Sequence, residues 1–457
     1  MINERFKGYL EEAIGQENAL VAFSAFEQPA SVSVRYNPFK PTDRMEGRVV
    51  PWCRYGLMLE HRPVFTLDPL FHAGAYYVQD SSSMFVGHSF RELISSVPRP
   101  VGRPFRVLDL CAAPGGKTTD LAASLREMFG DDFVLVSNEV MKARAGILAD
   151  NVAIWGDPNV VVTSDDPRAF AALPEFFDVI LADVPCSGEG MFRKDEDAQR
   201  QWSEDNVSLC QARQRRIVAD VWPSLTEKGI FIYSTCTFNR MENDLNVAWI
   251  AEELGAEPMM KEDMLKGMPG VIKTGYGYSL VPGFVEGEGQ YCSALRKSSE
   301  RSGRTYCGRD AGMKADKPFA ADKRIMAMFS VPVRLKERNT HVIAVPESIS
   351  GDVKTVESVL HVIASGCAAG MMKGKDFVPD ADLALSMILA DDAFPTVEVD
   401  TETALAFLHR DAVILPDAER GYVLIRYQGR NLGFVKNIGN RCNNLHPQSR
   451  RIRMNIK

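Results

Sequence analysis

The sequence predicts an α/β protein built on a parallel sheet with helices on both faces, preceded by an α+β module and followed by a β-rich module. Three observations carry this. Between residues 106 and 234, short continuous Val, Ile and Leu runs alternate with helical stretches, the pattern of strands buried on both faces. A chain of 457 residues has room for about three domains. Its 45% hydrophobic and 25% charged residues are the ordinary globular mix, which excludes disordered, collagen-like and coiled-coil architectures.

Residues 1–70 form the first module. A β-like run at 31–36, SVSVRY, is broken by Asn37-Pro38 and by Lys40-Pro41. The connector VPRPVGRP at 97–104 precedes the alternating segment, so residues 71–298 are assigned to the central domain. Its predicted strands are 106–110, 133–136, 160–163, 177–182 and 229–234; its helices are 118–129, 142–155 and 202–225. The polar, Ser- and Gly-rich stretch around 299–323 has linker composition. An intermediate module is expected at 324–393. The terminal module, 394–457, carries strand-like runs at 412–415, 422–427 and 432–436.

The N-terminus lacks a basic segment followed by an apolar one, and no run approaches the ~20 apolar residues of a membrane span. A cytoplasmic protein without a membrane partner is expected. Nine cysteines are scattered without a CxxC pair, so neither disulfides nor a metal site is expected. The formal net charge is -7, from 53 Lys and Arg against 60 Asp and Glu. As an average, that argues against a nucleic-acid partner.

The local pattern points elsewhere. Cys111, Ala112, Ala113, Pro114, Gly115, Gly116 and Lys117 form a loop between the first strand and its helix. Backbone NH groups at a helix start, with glycines that permit close approach, make a cradle for a polar cofactor. A phosphate-binding ATPase loop would need glycine where Cys111 stands, and the dinucleotide GxGxxG spacing is missing. Acids follow successive strands: Asp109, Glu139, Asp165-Asp166 and Asp183. In an open parallel sheet the ligand sits at those strand ends, and an acid after the second strand suits ribose hydroxyls. Cys186 follows the fourth strand and Cys236 the fifth. Core packing does not predict two loop thiols on one sheet edge.

The strings LDLCAAPGGKTT, SNEV, DVPCSGEGMFRKD and YSTCTFNRMEND resemble the motifs of the Nol/Nop/Sun family of RNA cytosine-C5 methyltransferases. The segments SVSVRYNPFKP and LGFVKNIGNRCNNLHP resemble its RsmF-type branch, bacterial enzymes that modify 16S rRNA. The resemblance implies a class I, Rossmann-like core binding S-adenosyl-L-methionine, and a C-terminal PUA-like module. It implies that 111–117 cradles the cofactor, Glu139 takes the ribose, Asp166 the adenine side, and Asp183 the junction with cytosine. Cys236 would be the nucleophile and Cys186 would help to release product. Two departures stand out: Val281-Pro282-Gly283 replaces a Phe-Pro-His triplet, and Asn444-Leu445-His446-Pro447 replaces Asn-His-Tyr-Pro.

The implied chemistry uses both thiols. Adding the Cys236 thiolate to cytosine C6 makes C5 enamine-like, with N3 protonated by a protonated Asp183; the C5 proton must then leave before Cys236 can. The base must be unpaired or flipped out. Candidate RNA contacts are Arg35, Arg193, Lys194, Lys436, Arg450 and Arg451, the last three in a tail without acids after Glu419. The expected partner is RNA, as 16S rRNA or the small ribosomal subunit, and the protein is expected to be a monomer. A tRNA methyltransferase and a non-catalytic ribosome assembly factor are the alternatives; intact Cys186 and Cys236 speak against the second.

Overall fold

The computed structural model describes residues 4–298, 317–319, 322–374 and 376–456. Most of the expected linker at 299–323 lies outside the described residues. Among the described residues, no helix is long and apolar enough to cross a membrane.

Two helices open the chain, Glu4–Ile14 and Gln16–Phe26. Phe6, Leu10 and Ile14 recur every four residues and so share a buried face. That face packs on Phe192, Trp202 and Phe238 of the central domain. A first sheet follows, of β1 (Val32–Tyr36), β2 (Arg48–Val50), β3 (Cys53–Leu59) and β4 (Tyr76–Val78), in the order β2-β3-β1-β4. Because β4 pairs antiparallel with β1, the N-terminal module extends past the expected boundary at residue 70.

The central sheet contains β5 (Phe105–Asp109), β6 (Phe133–Asn138), β7 (Val160–Thr163), β8 (Phe177–Asp183) and β9 (Leu225–Thr235). These five are parallel to their neighbours in the order β9-β8-β5-β6-β7. The chain runs outward from β5 to β7, then returns to the other side of β5. The switch point therefore lies between β5 and β8, where a crevice opens at the carboxyl ends. Strand residues alternate between two cores: Val107, Leu135, Val179 and Ile232 face one, and Leu108, Val136, Ile180 and Phe231 the other. Of the next strands, β10 (Ala256–Pro258), β11 (Ile272–Lys273), β12 (Tyr278–Leu280) and β13 (Gln290–Lys297), the last lies antiparallel to β9 and extends the sheet.

After β14 (Lys317–Pro318), which falls in the expected linker, the expected intermediate module supplies β15 (Val333–Arg338), β16 (His341–Pro346), β17 (Val362–Ser365), β18 (Cys367–Lys373) and β19 (Asp376–Pro379). Five of these form their own sheet, β14-β15-β16-β18-β19. By contrast, β17 pairs antiparallel with β7 and covers that edge of the central sheet, which would otherwise expose unpaired backbone groups. The terminal module holds β20 (Thr396–Glu398), β21 (Gly421–Tyr427), β22 (Arg430–Asn437) and β23 (Cys442–Asn444) in one sheet. The run at 412–415 is no strand; Val413 and Leu415 instead fill the core of this module from a loop.

Candidate active site

The cradle forms where β5 stops. Asp109 ends the strand, the Ala113–Pro114 peptide is cis, and Gly115 has φ +116°, a left-handed conformation that favours glycine. The helix Gly116–Phe129 starts there, with the NH groups of its first turn free of intrahelical partners. Lys117 Nζ lies 2.8 Å from Asp183 Oδ2. Burial disfavours the Lys117 ammonium, but Asp183, with Cys236 and Asp109, holds its pKa above the ordinary value. This lysine thus bridges β5's helix to β8, unlike a lysine aimed at nucleotide phosphates. Asp109 is fully buried. Its Oδ2 accepts from Thr118 Oγ1 at 2.7 Å, while Oδ1 has no partner. Burial pushes the carboxyl up to about 7, against the pull of the Thr118 bond.

On the other side of the crevice, Glu139 follows β6. Its carboxylate accepts from Met141 N at 2.9 Å and lies 3.2 Å from Arg144 Nη1. Asn138 locks three strand ends: its side chain donates to the carbonyls of Leu110 and Asp165 and accepts from Thr163 Oγ1 and Asp165 N. The sequence reading missed Asn138, although a lone amide ending an apolar run was a visible signal. Asp166, expected on the adenine side, follows β7. Its carboxylate caps the turn at Arg168 and lies 3.4 Å from Arg216, whereas Asp165 is the residue tied to the β6 end. Helix-start NH groups, an orphaned buried carboxylate oxygen and an acid after β6 together fit a nucleoside bearing a charged amino-acid tail.

The two thiols meet at the next strand ends. Cys186 Sγ and Cys236 Sγ are 3.1 Å apart, well beyond the ~2.05 Å of a disulfide. The hydrogen bond to Cys236, burial and the charge of Cys236 push the Cys186 thiol well above its ordinary pKa. Asp183 Oδ1 accepts from Ser234 Oγ at 2.8 Å and from Gln290 Nε2 at 3.4 Å.

Polar groups absent from the sequence reading weld these loops. Glu189, fully buried, accepts from Phe238 N, Asn239 N, Trp202 Nε1 and Asn239 Nδ2 at 2.8 to 3.0 Å. Glu242 accepts from Ser187 N at 3.0 Å, Gln214 Nε2 at 2.7 Å and Asn239 Nδ2 at 2.8 Å. Burial lifts Glu242 to about 6, against those bonds. Gly190 N donates to the Cys236 carbonyl at 2.9 Å. A Cβ at Gly190 would stand 2.7 Å from Gly289 O and 2.8 Å from Cys236 O. The glycine is thus required by close approach of three loops.

Three of the six expected RNA-contacting side chains are committed internally, and those assignments are corrected. Arg35, 1% exposed, donates to Gln79 Oε1, Thr119 Oγ1 and the Gly116 carbonyl at the cofactor helix. Arg193, with a side chain 6% exposed, pairs with Glu288 at 2.8 Å and donates to the carbonyls of Glu286 and Gly287. Arg450 lies between Asp150 at 2.7 Å and Asp382 at 2.8 Å. Each guanidinium is buried beside acids or carbonyls that a phosphate would have to displace. Lys194 remains at the surface, 3.0 Å from Asp80, and Lys436 stands over the Tyr422 ring. Arg451 is partly buried, and its Nε has no hydrogen-bond partner.

Comparison with known proteins follows this geometry. Residues 2–81 match the N-terminal domain of 16S rRNA methyltransferase RsmF, 100–296 match 16S rRNA methyltransferase RsmB/F, and 394–452 match the methyltransferase RsmF PUA domain. The ribosomal RNA small subunit methyltransferase F of Enterobacter sp. (strain 638) is 30% identical over 475 residues, spanning 97% of this chain and 95% of that protein. The chain belongs to the RsmF family of 16S rRNA methyltransferases. Another RsmF relative, from Serratia proteamaculans (strain 568), is 30% identical across 87% of this chain and 84% of its own length. A methyltransferase homologue from Pyrococcus horikoshii has 25% identity and a TM-score of 0.53, covering 65% of this chain and 95% of its own. NSun6 from Pyrococcus horikoshii, solved with SFG, is 17% identical with a TM-score of 0.52 over 65% of this chain and 99% of its own; that likeness is one of fold. The RsmF N-terminal match ends beyond β4, in accord with the module boundary drawn from strand pairing.

Proposed function

We propose that this protein methylates C5 of a cytosine in 16S rRNA with S-adenosylmethionine, through a covalent bond between Cys236 and cytosine C6. The observation that carries the reading is the pair of thiols 3.1 Å apart, beside a carboxylate that Lys117 ties to the cofactor cradle. Bound S-adenosylmethionine would supply an electrophilic methyl group. The helix start at Gly116, Glu139 and the orphaned oxygen of Asp109 are the groups that would hold it.

Cys236 sulfur adds to C6 and pushes electrons toward N3, which becomes protonated. C5 then carries the density needed to take the methyl. Asp183, hydrogen-bonded to Lys117 at 2.8 Å, is the acid that gives N3 its proton and takes it back when the ring double bonds are restored. Solvent takes the C5 proton, and the returning electrons expel the Cys236 sulfur as a thiolate. The Cys186 S–H, 3.1 Å from that sulfur, hydrogen-bonds the departing thiolate; this is how it assists release. A substituted Cys186 leaves the sulfur without its donor.

The test uses purified protein and bisulfite sequencing. RNA from cells lacking the gene should lose one or more 5-methylcytosines, restored by the wild type and not by Cys236→Ala. With 16S rRNA and S-adenosylmethionine, Cys186→Ala should accumulate an RNA–protein adduct stable to denaturing electrophoresis, and Cys236→Ala should form none. Adducts in both variants would sink the assignment.

A further inference from the structure

Away from the thiols, a cavity of about 150 Å³ lies where the N-terminal module, the segment before residue 394 and the PUA domain meet. Lys40, Arg426 and Arg430 line it, with the exposed Asp391 among its other walls. Lys40 is 8% exposed. Its ammonium has three donors and uses two, to the carbonyls of Ala73 at 2.9 Å and Ile154 at 2.7 Å. The Nε atoms of Arg426 and Arg430 are buried without a hydrogen-bond partner. Arg426 otherwise reaches only the Gly429 carbonyl. Among the described residues, none of the three cations forms an ion pair. Burial, then Arg430 and Arg450, depress Lys40 to about 7, so like charges here repel one another in the absence of an anion.

Buried cations are ordinarily paired, because an uncompensated charge away from water is costly. Elsewhere in this protein the buried guanidinium groups of Arg193, Arg126 and Arg450 each face a carboxylate, while buried Lys297 is held by two carbonyls. In the cavity buried Lys40 has no carboxylate partner among the described residues, and Arg426 and Arg430, partly buried, each keep a buried Nε without a partner. Its volume exceeds by several-fold the ~30 Å³ share of a water in the liquid, which suits a small tetrahedral oxyanion.

We propose that this cavity is a phosphate site, in which Lys40, Arg426 and Arg430 together hold one tetrahedral phosphate group. The phosphate comes either from the backbone of the RNA substrate or from free inorganic phosphate. The first source rests on the proposed function, and the second does not. Guanidinium forks match phosphate geometry, and charge-assisted bonds to an anion would satisfy the two orphaned Nε atoms.

The experiment compares the full chain with Arg430→Gln and Arg430→Lys. Melting temperature is read in phosphate and in chloride at equal ionic strength. Phosphate stabilises proteins generally, so the readout is the difference between variants. The wild type should gain more from phosphate than Arg430→Gln does, with Arg430→Lys between them. In chloride, Arg430→Gln should melt no lower than the wild type, since repulsion on Lys40 is relieved; this also reports that the variant folds. Binding of 16S rRNA is then followed against salt. If the site holds an RNA phosphate, the slope of log Kd against log salt should fall by about 0.7 to 0.9 in Arg430→Gln. A selective phosphate gain with an unchanged slope assigns the site to free phosphate. A changed slope without that gain assigns it to RNA alone. Equal phosphate response together with an equal slope overturns the proposal. Absence of 5-methylcytosine in the wild-type reaction would instead overturn the proposed function and leave the phosphate result standing.

Discussion

At the scale of single residues, the site depends on where protons are kept. Asp109 titrates at about 7 in the fold against an ordinary value of 3.8. Between those values the unfolded chain has lost the proton and the native protein retains it, so stability falls as pH rises through that window. Asp109→Asn removes the ionisation while leaving an oxygen to accept from Thr118. The wild type should therefore lose melting temperature relative to Asp109→Asn between about pH 4 and about pH 7; parallel curves would show that burial does not govern this carboxyl. Glu189 gives a second case. In Glu189→Gln one carboxylate oxygen becomes an amide that faces donors, leaving buried NH groups unpaired at a cost of about 1–3 kcal/mol. Because those donors hold the Cys236 loop, methyl transfer should fall more than tenfold at temperatures where circular dichroism still reports a folded chain. Cys186, Cys236 and Asp183 were legible in the sequence because each sits at a strand end within a recognisable string. Glu189 and Glu242 lie in the same strings, yet their burial and their many donors come from chain segments far away.

At the scale of elements, the parallel sheet was readable from its apolar runs, since strands buried on both faces admit little else. The pairing partners of short or polar strands were not. Nothing in Val362–Ser365 itself distinguishes an edge strand of the methyltransferase sheet from a strand of a separate module. The first helix shows the same limit. It was not read from the sequence, and nothing in its residues tells that Phe6 packs on Phe192 with ring centroids 4.9 Å apart, close to the Cys186 loop. Phe6→Ala should cost about 3–5 kcal/mol in urea unfolding. The variant should also weaken the thiol pair, seen as faster alkylation of Cys186 in the native protein. Unchanged alkylation would mean that these helices support the fold alone.

At the scale of the whole molecule, the net charge of -7 is an average over unlike surfaces. RNA binding should weaken with salt, and the sites that carry the slope are to be sought among cations that reach the surface, such as Lys194, exposed, and Lys436, partly exposed. Neutralising Lys436 should lower the salt slope of RNA binding without changing the melting temperature by more than about 2 °C. Removing all residues after Glu419 would delete β21 to β23 and with them the core of the PUA domain, so truncation reads folding rather than charge. The sequence alone determined the class of fold, the family and the loops that meet at the crevice. Strand-end loops are local in the chain, and parallel topology brings their carboxyl ends together without further instruction. Only the tertiary structure decided which cations are free. Arg35, Arg193 and Arg450 look like any other basic residue in the string of letters. Their partners lie dozens to hundreds of residues away, and burial beside those partners, rather than the charge itself, decides whether a guanidinium can meet a phosphate.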